Sequence, residues 1–135
     1  MSKKLRKIEI AVGVINMVTK YFNMDVSVIL KPIKELAKEE AYCVDIGGGF
    51  YEVEISPELL INCSEEVLVE TIAHEMVHIK QYEVDGLDLQ AKAHYYKGEW
   101  FDPEQDYWFT PWEIEARGYE RAFLAMWNMD WSKFS

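Results

Sequence analysis

Apolar residues recur at Leu5, Ile8, Val12, Ile15, Val18 and Phe22, a spacing of three and four that collects them along one side of a helix. The pattern predicts a first helix over residues 3–22, packed across a sheet, with Gly13 weakening it by about 1 kcal/mol relative to alanine. Val26-Ser27-Val28-Ile29-Leu30 is a β-branched run that stops at Pro32 and reads as the first strand. Residues 33–40 are polar around Ile33 and Leu36 and form a short helix or a loop. Residues 41–46 and 50–55 read as two further strands joined by Gly47-Gly48-Gly49, which supplies the positive φ angles of a tight hairpin. A phosphate-cradling loop is the other use of such glycines, but neither G-x-G-x-x-G nor a Walker lysine accompanies them. Tyr51, Val53 and Ile55 alternate with Glu52 and Glu54. That alternation marks a half-exposed strand, expected at a sheet edge and ended by Pro57.

Ser64 is a good N-cap, and Glu65 and Glu66 follow it at the positive end of the next helix dipole. This helix is expected to reach Tyr82 or Val84, with Gly86 just past it. Val69, Ile72, Ala73, Met76 and Val77 form its packing side, while Glu70, His74 and His78 define a polar one. Residues 86–111 are the least regular part; Lys97-Gly98 suggests a hairpin turn and Asp102-Pro103 a bend. The aromatic residues of that stretch, from Tyr95 to Phe109, are expected chiefly to pack it onto the core, lining a substrate pocket being their other use. Pro111 opens a last helix running to Trp127 or Met129. The order of elements predicts one α+β domain over residues 1–135, with helices against a small mixed or antiparallel sheet.

Composition narrows the class. Half of the 135 residues are hydrophobic, so the chain can bury a real core. Cys43 and Cys63 are too few for a disulfide framework and read as two reduced thiols. Lys3, Lys4, Arg6 and Lys7 precede a short apolar stretch, but no small-x-small cleavage site follows and no segment is long enough to span a membrane. The expected location is cytoplasmic. Net charge is −10, and residues 65–120 alone hold 14 acidic against 4 basic side chains. Such a surface repels phosphate backbones, which argues against direct nucleic-acid binding.

The chemistry concentrates in His74-Glu75-Met76-Val77-His78. On a helix, residues four apart lie about 40° apart around the axis and about 6 Å along it, so two imidazoles can close on one metal ion. Glu75 then stands beside the open position, as a hydrolytic zinc site requires. A third ligand is needed, and His94, Glu113 and Glu115 are the candidates. Gln81 and Val84 stand where a metzincin would place glycine and a third histidine, which excludes that class.

With Glu113-Ile114-Glu115-Ala116 following the H-E-x-x-H helix, the chain resembles the gluzincin metallopeptidases, particularly the small ImmA/IrrE-like and SprT-like bacterial and phage forms. The resemblance covers residues 64–125 and implies a zincin-like fold with flanking N- and C-terminal helices. It assigns His74, His78 and Glu113 to zinc and Glu75 to catalysis. The implied reaction is peptide-bond hydrolysis: zinc acidifies a water, and Glu75 takes its proton and passes it to the leaving amine. Tyr95, Tyr107 or Tyr119 could donate to the oxyanion, and an extended protein or peptide substrate would pair along strand 50–55. Arg117 stands where many gluzincins have Asp or Asn to orient a zinc-bound histidine, leaving Glu70 or Arg117 itself as a possible neighbour of the ligands. The alternative is a zinc-binding regulatory or protein-interaction domain with little turnover. The oligomeric state is not legible.

Overall fold

A computed structural model describes residues 2–38 and 40–129. Helix α1 spans Lys3–Tyr21 and is capped by Ser2, whose hydroxyl accepts from the Leu5 N–H at 3.1 Å. Strands β1 (Ser27–Pro32), β2 (Ala41–Gly47) and β3 (Phe50–Ile55) follow. A short helix α2 (Pro57–Asn62) leads into α3 (Glu65–Glu83). Beyond α3 come β4 (Asp88–Leu89), β5 (His94–Tyr96), β6 (Glu99–Phe101), a 3₁₀ turn at Tyr107–Phe109 and α4 (Pro111–Asn128). The α+β reading holds.

The first sheet is mixed, in the order β1-β3-β2: β1 runs parallel to β3, and β2 is antiparallel to it. This corrects the expected placement of strand 50–55. The alternation is present, with Tyr51, Val53 and Ile55 buried, but β3 is hydrogen-bonded on both sides and has no free edge to offer a peptide. Residues 33–38 form turns rather than a helix. Helix α2 stands where the sequence pattern marks only the end of a strand at Pro57. Ser56 caps it, accepting from the Leu59 N–H, with Pro57 in its first turn.

Residues 86–111 are more regular than expected, since β4, β5 and β6 make a second antiparallel sheet. Its turn is Lys97-Gly98, with φ of 52° and 79°, a pair of left-handed residues that closes a two-residue hairpin. The Gly47-Gly48-Gly49 turn likewise has positive φ throughout.

The core lies between the inner face of the first sheet and α1, α3 and α4. Val14 and Val18 of α1, Val53 and Ile55 of β3, and Leu68, Ile72 and Met76 of α3 are all at most 1% exposed. Each such burial stabilises the fold by roughly 1.5–3 kcal/mol relative to an exposed side chain. Phe123 of α4 packs edge-on against Tyr21 and Phe22 and stacks on Tyr119. Gly13 has a packing reason: an added Cβ would stand 2.7 Å from the Trp127 indole of α4. Helix α4 is thus held by α1 through its later turns and by α3 through its first ones, and no helix among the described residues is long and apolar enough to cross a membrane.

Candidate metal centre

His74 and His78 lie one turn apart on α3, with Val69, Ile72, Ala73, Met76 and Val77 buried on the opposite side. Glu113 enters from the first turn of α4 and is 1% exposed. These three side chains converge, each offering a ligand atom within 4.8 Å of the others, and the group can hold a metal ion. The Nε2 atoms of the two histidines are 3.2 Å apart, and Nε2 of His74 lies 3.4 Å from Oε1 of Glu113. Both separations match the edge of about 3.3 Å that four ligands at about 2.0 Å define around a tetrahedral ion. The third edge, His78 Nε2 to Glu113 Oε1, is 2.7 Å, shorter than the other two.

The outer ring nitrogens are also engaged. His74 Nδ1 is 3.0 Å from Oε1 of Glu120, and His78 Nδ1 is 2.7 Å from Oε1 of Gln81. With acceptors there, each ring carries its proton on Nδ1 and turns the Nε2 lone pair inward when it acts as a ligand. Sequence reasoning missed both partners. Glu120 follows Glu113 by seven residues, two helical turns, and that spacing was the available signal.

Electrostatics bind the group together. Burial alone would raise the Glu113 carboxyl, but its hydrogen bonds to His74 and His78 hold it well below the usual carboxylate range. Burial would lower His74, yet its bonds to Glu113 and Glu120 and the charge of Glu75 raise it to about 10. Glu75 itself is pushed up to about 7, chiefly by burial.

Several expected neighbours lie elsewhere. His94 packs its ring against Trp112 at 5.8 Å. Glu115 accepts from Gln81, Tyr96 and Lys97 and does not join the converging group. Glu70 pairs with Arg121 at 3.3 Å, and Arg117 lies over the Trp108 ring at 3.8 Å while donating to the Trp108 carbonyl. Neither touches a histidine of the centre, because their side chains are drawn to partners at the rim. Among the tyrosines, Tyr107 donates to Glu113 at 2.9 Å and faces the centre. Tyr95 pairs with Trp100 across the small sheet and is 40% exposed, and Tyr119 belongs to the Phe22–Phe123 cluster.

A cleft reaches the centre from two sides, and Tyr107 and Glu113 line both parts. One part is walled by Ala41, Tyr42 and Cys43 of β2 and contains Glu75 and His78; the other contains His74, Glu120, Arg117 and Arg121. The wall formed by β2 is an edge strand. Ser56 N–H donates to the Glu40 carbonyl at 3.0 Å, and the alternation of an antiparallel ladder then turns the N–H and C=O groups of Ala41 and Cys43 toward the cleft.

Compared with known proteins, the chain matches no family model, no curated protein and no solved structure.

Proposed function

We propose that this protein is a zinc-dependent peptidase of zincin type, with His74, His78 and Glu113 holding the ion. The observation that carries the reading is the convergence of those three donors, with Glu75 lining the same pocket as His78 and Glu113. A structural site has no use for a free carboxyl beside its ligands. Zinc bound by two imidazoles and a carboxylate would supply Lewis acidity, polarising a substrate carbonyl and making a water acidic enough to lose its proton near neutral pH.

The protein's own groups supply the rest. Glu75, pushed up to about 7 by burial, suits a group that takes a proton from water and returns it to the leaving amine. Tyr107 is a protonated donor beside the centre: burial and the charge of Glu113 both raise its phenol. It is the phenol of the three considered that can reach an oxyanion at this position. The free edge of β2 supports binding of an extended peptide by strand addition, with the N–H and C=O groups of Ala41 and Cys43 as its hydrogen-bonding partners. The role given to strand 50–55 passes to β2.

The test is Glu75→Gln. Wild type is expected to bind one zinc and cleave an unfolded protein or peptide mixture, while the variant keeps the zinc and loses cleavage. Zinc bound by both and cleavage by neither would leave a zinc-binding domain without turnover, and equal cleavage by both would remove Glu75 from the reaction.

A further inference from the structure

We infer that Gln81 is a positioning residue of the metal centre, which fixes the ring of His78 and the start of the helix bearing Glu113 through one buried amide. The inference rests on the reading of His74, His78 and Glu113 as ligands, though not on any turnover.

Gln81 lies on α3 three residues after His78 and is fully buried. A sealed amide must find partners for both its oxygen and its NH2 group. Here Oε1 stands 2.7 Å from His78 Nδ1, while Nε2 donates to the Trp112 carbonyl at 2.9 Å and to Glu115 Oε1 at 3.1 Å. The last two groups can only accept. An amide turned the other way would set its oxygen against both, and its NH2 against the ring. The orientation is therefore decided by chemistry, and His78 must donate from Nδ1. That leaves its Nε2 lone pair for the metal.

The same amide acts on the third ligand. Trp112 immediately precedes Glu113, so the bond to its carbonyl pins α4 to α3 at the residue next to the carboxylate. Glu115 in turn accepts from the Tyr96 hydroxyl at 2.8 Å and from Lys97 at 3.3 Å, tying the β5–β6 hairpin to the same point. Helix α3, helix α4 and the small sheet thus meet at one side chain.

The two histidines are supported unequally. His74 leans on a carboxylate, Glu120, whereas His78 leans on a neutral group. A lone glutamate at 81 could accept from Nδ1, but it would have no hydrogens for Trp112 and would face Glu115 charge to charge. The amide orients the ring without either penalty.

The experiment measures zinc affinity of the full chain by competition with a chromophoric chelator, alongside a thermal melt of the metal-free form. Gln81→Met, of similar shape but without acceptor or donor, is expected to weaken zinc binding about 10–100-fold. The exchange Gln81→Glu with Glu115→Gln restores an acceptor to His78 and a donor facing it but leaves the Trp112 carbonyl without one, and is expected to recover part of that loss. Unaltered affinity in Gln81→Met would overturn the inference, as would an exchange variant that binds as weakly as Gln81→Met. If Gln81→Met does not fold, Gln81→Asn, whose amide is one methylene short of His78, carries the same comparison. A wild-type chain that takes up no zinc would overturn the metal centre and this inference together. One that binds zinc and cleaves nothing would count against the peptidase reading alone, and the variants would still be decisive.

Discussion

Oε1 of Glu120 lies 3.0 Å from Nδ1 of His74, two turns along α4 from Glu113. One face of one helix therefore carries a candidate ligand, Glu113, and also the carboxylate that bonds the ring of another, His74. Glu120→Ala is expected to lower zinc affinity about 10–100-fold. Glu120→Gln keeps an acceptor within reach of the ring, so its loss should be smaller. Chelator competition on the two variants checks this, and equal losses would show that the charge rather than the hydrogen bond matters.

Glu113 and His94 were both candidates for the third ligand, and their surroundings now separate them. Glu113→Ala is expected to abolish stoichiometric zinc binding, since it removes one of three converging donors. His94→Ala should leave the metal content unchanged, because that ring packs against Trp112 away from the centre. Metal analysis after gel filtration reads both. Zinc retained by Glu113→Ala would disprove the assignment.

The metal-free protein should lose stability as pH rises. Folded His74 holds its proton to about 10 against 6.5 in an unfolded chain, and folded Glu75 to about 7 against 4.5. Over each window the folded state binds more protons, so its stability is greatest below the window and falls across it. Glu113 and Glu115, both held below 4.5, act in the other sense: their contribution is present above that value and lost in acid. The melting temperature in chelator should accordingly peak near about pH 5 and fall toward about pH 10. Bound zinc replaces the histidine protons and should flatten that fall. Melts with and without metal test it, and a metal-free Tm that climbs from neutral to alkaline pH would contradict the assigned shifts.

The parts of this site that were legible in the sequence are those encoded locally. The spacing of His74 and His78 fixes a shared helix face wherever the helix lies, and Ser64 marks where that helix begins. The place of strand 50–55 was not legible, because alternation of Tyr51, Val53 and Ile55 reports which face is buried and not how many neighbours the strand has. Its parallel partner, β1, precedes it across an intervening strand. Gln81 and Glu120 were missed for a related reason. Glu120 becomes meaningful only once α4 is laid against α3, whereas Gln81 stands three residues after His78 on the same helix and only its bonds to Trp112 and Glu115 depend on that docking. The α2 helix is a different case: Ser56-Pro57-Glu58 is a helix start signal in the sequence itself, masked by the same proline's ending of the strand before it.

The strand order also bears on how the chain assembles. Because β3 is the middle strand, β1 has no partner until the hairpin that follows it has been made. The turn at Gly47-Gly48-Gly49 brings β2 and β3 together over a short contour, whereas β1 must return across a longer one. Loop-closure entropy then favours the hairpin as the early unit and the parallel rung as the late one. The three strands also precede α3 and α4 along the chain, so during synthesis their pairing partners are all made before Glu113 is.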